Sequence, residues 1–190
     1  MSQSILASDK EQINLTATAV VLEVPFPVSQ RIQELRERFD PVLARSVPVE
    51  VTIAGSSGLA VLAPGQDSAA VFATLQQIAA ATPSFTAAFG RAFRFPHSTV
   101  YALTVKPLRP FRELHQRLKT APVRFLPSPF HFMPHCSLHI WGELPETLAQ
   151  EIIQTRIPEH FGISNLALYQ RVSDTAVALV ARFPLTGMGD

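Results

Sequence analysis

The chain has 190 residues, 47% of them hydrophobic, and a formal net charge of +1. These values favour a well-buried globular protein and exclude an intrinsically disordered chain. The near-neutral charge provides no global field for long nucleic acid or for a membrane surface, so we expect no double-stranded DNA and no membrane partner. A small phosphate-bearing ligand needs only local donors and stays compatible with this charge.

Cysteine content and the N-terminal sequence bear on the cellular compartment. Cys136 is the single cysteine, which excludes an internal disulfide and suits a reducing environment. The N-terminus lacks the basic segment and following apolar segment of a secretion signal, and no apolar run approaches the roughly 20 residues of a membrane helix. The sequence therefore predicts a cytoplasmic protein.

The first part of the chain predicts a strand, a helix and a second strand. Residues 15–24 are rich in β-branched side chains and predict the first strand. A Pro-Phe-Pro segment ends it, and Ser29 is expected to cap a helix that runs to about Phe39. Residues 50–54 predict the second strand, which leads into a glycine-rich turn over residues 55–58.

The same order recurs later in the chain. A strand over residues 99–105 is followed by an amphipathic helix, a proline-rich connection and a strand that begins at His135. The two copies, approximately residues 14–58 and 99–142, predict a duplicated, pseudo-twofold architecture. We expect both copies to belong to a single two-lobed domain spanning residues 1–190.

Further elements complete an α+β fold in which small antiparallel sheets with flanking helices surround a central cleft. Those predicted are a helix over 69–81, a strand over 85–95 with a bend at Gly90, a helix over 144–157, and a closing hairpin of 166–169 and 176–183.

Each copy ends in a strand that carries a titratable side chain two positions before a hydroxyl. Because successive residues of a strand point to opposite faces, His135, Ser137 and His139 should share one face. Glu50 and Thr52 have the same spacing in the first copy. A pseudo-twofold would bring both strands to one cleft, where an acid–base group and a hydroxyl from each strand can act together on a phosphate.

These motifs resemble those of the two-histidine phosphoesterase superfamily, in particular the bacterial 2′-5′ RNA ligase and cyclic phosphodiesterase branch. Residues 47–53 and 132–138 are similar to its two motifs. Residues 89–103 are similar to its middle strands, and residues 166–169 and 181–185 to its closing strands. The resemblance implies that two histidines act as general acid and base without a metal or other cofactor, while two hydroxyls bind the phosphoryl oxygens. The implied partner is a nucleotide or an RNA-end phosphodiester.

One motif position departs from the family pattern. His135, Ser137 and Thr52 match it, whereas Glu50 stands where the family has a histidine. A carboxylate can replace an imidazole as general base, but at about 4 Å it repels an anionic phosphate by roughly 1 kcal/mol in water and roughly 4 kcal/mol in a partly buried site. The sequence thus predicts either a divergent enzyme with Glu50 as replacement base, or an inactive module that binds a ligand or a protein in the same cleft.

Three further residues are candidates for lining the cleft. His139 follows from strand alternation, Tyr101 from its place on a neighbouring strand, and His97 from a second His-x-Thr pattern. The alternatives are a structural histidine, a core tyrosine and a polar loop residue, respectively. We expect no metal site at His131, His135 and His139, because four strand positions span about 13 Å. The sequence makes no prediction of oligomeric state.

Overall fold

A computed structural model describes residues 13–189, and the N-terminal segment relevant to a secretion signal lies mostly outside this range. The chain forms ten strands and five helices within the described residues. In order they are β1 (Thr18–Glu23), α1 (Val28–Phe39), α2 (Pro41–Ser46), β2 (Glu50–Ala54), β3 (Leu59–Leu62), α3 (Ser68–Ala80), β4 (Phe85–Arg94), β5 (Tyr101–Lys106), α4 (Leu108–Thr120), β6 (Phe125–Pro127), β7 (His135–His139), α5 (Glu146–Gln154), β8 (His160–Ile163), β9 (Asn165–Ser173) and β10 (Ala176–Pro184).

Two four-stranded antiparallel sheets form the two lobes. Their strand orders are β10-β9-β1-β2 and β7-β5-β4-β8, and a small β3-β6 sheet lies beside them. In both lobes the motif strand, β2 or β7, is an edge strand paired with the first strand of its copy. The two edge strands also contact each other. This arrangement confirms the two-lobed, pseudo-twofold α+β fold with a central cleft, while the exact limits of the two repeats stay a prediction.

The two lobes share one hydrophobic core. Val20 and Leu22 from the first sheet belong to the same buried cluster as Leu103 and Leu138 from the second. Burial of apolar surface is the main favourable contribution to the free energy of folding. A close-packed interior that both sheets share therefore fixes the relative position of the sheets and of the two motif strands. Within residues 13–189, no helix is both long and apolar enough to cross a membrane.

Two helix predictions need correction. Ser29 is not a cap: α1 already begins at Val28 after Pro27, and no side chain caps it. The helix predicted over 144–157 is shorter, since α5 follows Pro145 and ends at Gln154, where Thr155 leaves the helical conformation.

Gly90 lies at an irregularity of the sheet, as predicted. The β4–β5 register shifts between Phe89 and Ala92, and a Cβ on Gly90 would overlap Thr104 Oγ1. A side chain at this position would require Thr104 to move, so a glycine suits the close approach of these two strands.

Candidate functional site

A cavity of about 650 Å³ brings both motifs together. Glu50 and Thr52 from β2 line it, as do His135 and Ser137 from β7. Their strand neighbours point the other way and lie in the core, as Cys136 does with no exposed surface. Strand alternation thus places the four side chains on one wall, as the motif spacing predicts.

The remaining wall is mostly apolar. Phe130 stands at the rim with 67% of its surface exposed, and its backbone is held by a 2.8 Å hydrogen bond from Gly58 N to its carbonyl oxygen. Two arginines, Arg36 and Arg171, also belong to the cavity lining. Other apolar lining residues are Ala17, Ala19, Val21, Leu43, Val61, Phe95, Val100 and Met133. Such a combination of apolar surface and a few polar groups is typical of small-molecule sites.

Glu50 is poised to titrate near neutral pH. Burial raises the pKa of its carboxyl to about 7, against the opposing effects of the Arg36 charge and the hydrogen bond from Thr52. Thr52 Oγ1 lies 3.1 and 3.0 Å from the two carboxyl oxygens of Glu50 and donates to this group. Near neutral pH both the neutral and the ionised form of Glu50 are therefore populated.

His135 is held in one tautomer by its backbone contact. Its Nδ1–H donates to the carbonyl oxygen of Met133 at 2.7 Å, so Nε2 carries the lone pair in the neutral ring. Burial lowers the pKa of His135, and the Met133 hydrogen bond opposes this shift. The ring also packs edge-on against Phe95 at a centroid distance of 4.9 Å. Near neutral pH, His135 is thus a proton acceptor and Glu50 is available as a proton donor.

Arg36 is a site residue that the motifs alone do not reveal. Its side chain has no exposed surface, although it belongs to the cavity lining. On α1 the buried positions are Val28, Ile32, Arg36 and Phe39, which follow the spacing of one helix face. A charged residue on an otherwise apolar face is the signal that could have revealed it, because a buried charge requires specific partners.

The three additional cleft candidates do not line the cavity. His139 is 3% exposed, and its Nδ1 and Nε2 lie 2.9 Å from the carbonyl oxygens of Phe39 and Gly142, respectively. Tyr101 packs in a small buried cluster with Phe39. His97 lies in the turn before β5 at a φ of 55°, outside the lining residues.

A register irregularity explains why alternation fails at His139. Along β5 and β7, Tyr101 pairs with His139 whereas Ala102 pairs with Ser137, so one residue of β7 is left out of the ladder. The bulge reverses the facing of the strand, and Ile140 lines the cavity instead of His139. Among the described residues, no three His, Cys, Asp or Glu side chains are grouped to hold a metal ion.

Asp40, which lies 3.5 Å from His139, is expected to make a large contribution to stability. Its buried carboxylate accepts hydrogen bonds from Leu43 N, Ile140 N and Trp141 N at 2.9, 2.9 and 3.2 Å. It therefore joins the α1–α2 junction to the end of β7. We expect Asp40→Ala to lower the free energy of unfolding by about 3 kcal/mol, measured by urea denaturation, because several buried donors lose their partner.

Asp67 provides the matched control for Asp40. It caps α3 in the same way, through Ala69 N and Ala70 N, but it is exposed. Asp67→Ala is expected to cost only about 1 kcal/mol. Equal losses in both variants would show that Asp40 acts as a helix cap alone and does not join the two segments.

Comparison with solved structures defines the fold class. TT0787 of Thermus thermophilus matches with a TM-score of 0.65 at 14% identity, over 93% of this chain and 100% of that one. E. coli LigT complexed with 3′-AMP matches with a TM-score of 0.57 at 21% identity, over 89% and 97% of the two chains. LigT complexed with NADP+ gives 0.59 at 20% identity over the same shares. At these identities the likeness concerns the fold alone.

The family follows from the sequence match. The profile of the 2′-5′ RNA ligase superfamily matches residues 24–175, which include both motif strands. No curated protein matches the sequence significantly. The chain belongs to the 2′-5′ RNA ligase superfamily, in agreement with the expected relation to two-histidine phosphoesterases.

Proposed function

We propose that the protein is a phosphodiesterase that opens a 2′,3′-cyclic phosphate on a nucleotide or an RNA end. One observation carries the proposal: the cavity holds a carboxyl whose pKa is about 7 and a histidine whose Nε2 is free to accept a proton. A proton donor and a proton acceptor with suitably placed pKa values are what general acid–base catalysis requires.

The proposed step assigns one role to each motif residue. Water attacks phosphorus and gives its proton to His135 Nε2, while the bond from phosphorus to one ribose oxygen breaks and that oxygen takes the Glu50 proton. Thr52 and Ser137 hydrogen-bond the phosphoryl oxygens, where negative charge accumulates. The sequence suggested Glu50 as a replacement base, whereas its raised pKa favours the role of acid.

Protonation also reduces the electrostatic objection to a glutamate at this position. An ionised Glu50 would repel a phosphodiester anion, but the neutral acid does not. Since the pKa of Glu50 is about 7, the neutral form is available at small cost near neutral pH. The same burial that raises this pKa therefore makes the cavity compatible with an anionic ligand.

The proposed ligand is a small nucleotide. Solved structures of E. coli LigT hold 3′-AMP, phosphate, NADP+ or ATP, so nucleotides fit this fold in that protein. In the present chain, the exposed ring of Phe130 and the apolar wall provide surface for a nucleobase. The motif hydroxyls lie within the same cavity for the phosphate.

Hydrolysis of 2′,3′-cyclic nucleotides tests the proposal. The four cyclic nucleotides would be incubated with the purified protein in the presence of EDTA, and the ring-opened monophosphates measured by chromatography. We expect turnover that survives chelation. Turnover that requires an added divalent cation would contradict the metal-free mechanism, and no turnover with any substrate would contradict cyclic-nucleotide hydrolysis.

A binding module without catalysis is the second candidate function. It is favoured by the contact between Thr52 and Glu50, because the hydroxyl expected to bind phosphate already donates to the carboxyl. Calorimetric binding of 3′-AMP with no cyclic phosphodiesterase activity would support this alternative. We propose a cytoplasmic location for either function, since Cys136 is a free, buried thiol.

A further inference from the structure

We infer that Arg36 is a positioning residue, which holds the two motif strands at a fixed separation and sets the charge environment of Glu50. The inference rests on the proposed function only for its rate measurements. Arg36 lies on α1, outside both motifs, and joins two edge strands that belong to different sheets.

The guanidinium group of Arg36 donates to the backbone on both sides of the cleft. Its Nε–H bonds the carbonyl oxygen of Ser137 on β7 at 2.9 Å, and Nη1 bonds the carbonyl oxygens of Val47 and Pro48 at 3.0 Å each. Val47 and Pro48 lie three and two residues before Glu50 in the chain. Arg36 thus connects the chain segments that present both motifs, in place of a ladder between β2 and β7.

The shape of the side chain matters for this connection. Arginine carries five N–H donors in a rigid, planar fork, whereas the ammonium group of lysine is a compact donor on a flexible stem. The fourth contact, from Nη2 to Cys136 Sγ at 3.8 Å, completes the set on the β7 side. Because Arg36 has no exposed surface, water cannot readily replace these bonds if the fork is lost.

Besides making these hydrogen bonds, Arg36 affects the pKa of Glu50 through its positive charge. The four acceptors named above are neutral, and the positive charge lowers the pKa of Glu50 against the effect of burial. Other titratable groups lie on neighbouring strands or line the same cavity, among them Arg171. Glu23, the cross-strand partner of Glu50, is paired with Arg182, while the Cys136 thiol has a pKa raised to about 11 and the neutral form of His135 is favoured.

Two substitutions separate the charge of Arg36 from its geometry. Arg36→Met removes both, and Arg36→Lys retains the charge without the fork. The Glu50 carboxyl would be titrated by ¹³C NMR, with thermal unfolding as the control for folding. We expect the Glu50 pKa to rise by about 1 unit or more in Arg36→Met and to change less in Arg36→Lys. An unchanged Glu50 midpoint in folded Arg36→Met would overturn the electrostatic part.

Activity measurements test the geometric part. Because Arg36→Lys retains the charge, a loss of kcat of at least about 10-fold with little change in KM would indicate that the fork aligns the motif strands. Wild-type kcat in Arg36→Lys would overturn the positioning role. If the protein has no turnover at all, the proposed function fails, but the NMR titration still tests the effect of Arg36 on Glu50.

A measurement on the wild-type protein covers the case in which neither variant folds. The Arg36 Nε–Hε signal would be followed by ¹⁵N NMR between pH 5.5 and 8.5, with Glu50→Gln as the control. We expect it to shift with the same midpoint as the Glu50 carboxyl and to lose this transition in Glu50→Gln. An Arg36 signal that is insensitive to the protonation of Glu50 would overturn the coupling.

Discussion

His135→Ala is expected to reduce kcat/KM for a 2′,3′-cyclic nucleotide by a factor of about 10² to 10⁴, because it removes the proposed general base. The fold should survive the change. His135 lies on an edge strand, and its hydrogen bond to the Met133 carbonyl joins residues only two positions apart. The measurement is kcat/KM at pH 7 in EDTA, together with the thermal unfolding midpoint of the variant.

His160→Ala is the matched control for His135→Ala. His160 is an exposed histidine on β8, the outer strand of the same sheet, and it lies outside the cavity lining. We expect it to retain wild-type activity. A His135→Ala enzyme that keeps its activity, or a loss of equal size in His160→Ala, would contradict a specific role of His135.

Much of the fold follows from local sequence patterns. Alternating side chains in residues 50–54 and 135–138, together with the repeated strand–helix–strand order, indicate which faces meet and which point to the core. The structure has these strands at Glu50–Ala54 and His135–His139. The four motif side chains could therefore be placed together because each one lies within a regular stretch whose period is known.

The features that the sequence leaves open or does not reveal depend on a local irregularity or a long-range contact. Alternation along β7 predicts that His139 faces the cleft. The pairing with β5 shows a bulge before this residue, and alternation does not continue across a bulge. Arg36 depends on acceptors about 100 residues away, at Cys136 and Ser137, which no local pattern encodes. The raised pKa of Glu50 likewise comes from burial in the assembled cavity, which residue type alone does not establish.

Glu50→Gln is also expected to cause a large effect, which concerns both the size of kcat/KM and its dependence on pH. In the wild type, kcat/KM should fall at acid pH as His135 becomes protonated and fall again above about pH 7 as Glu50 ionises. Glutamine occupies the same space without a proton to transfer. We expect a loss of about 10² to 10⁴ in kcat/KM and the disappearance of the alkaline limb, measured between pH 5.5 and 9.5.

The unfolding free energy provides a readout of Glu50 that needs no substrate. A carboxyl whose pKa rises from 4.5 to about 7 on folding binds more protons in the folded state, so its contribution to stability is lost as pH rises between these values. The loss amounts to roughly 3 kcal/mol by pH 8. Urea denaturation should show this decline as a pH-dependent difference in unfolding free energy between the wild type and Glu50→Gln, because the amide does not titrate.

The two readouts together decide between an enzyme and a lapsed site. If Glu50→Gln removes the stability decline but the wild type shows no turnover, the Glu50 carboxyl titrates as described and catalysis has been lost. Glu50→His then restores the residue that the family pattern has at this position, while Thr52, His135 and Ser137 stay in place. A gain of cyclic phosphodiesterase activity would show that the glutamate alone silences the site. An inactive Glu50→His variant would mean that the cavity has also diverged elsewhere and would favour the binding function.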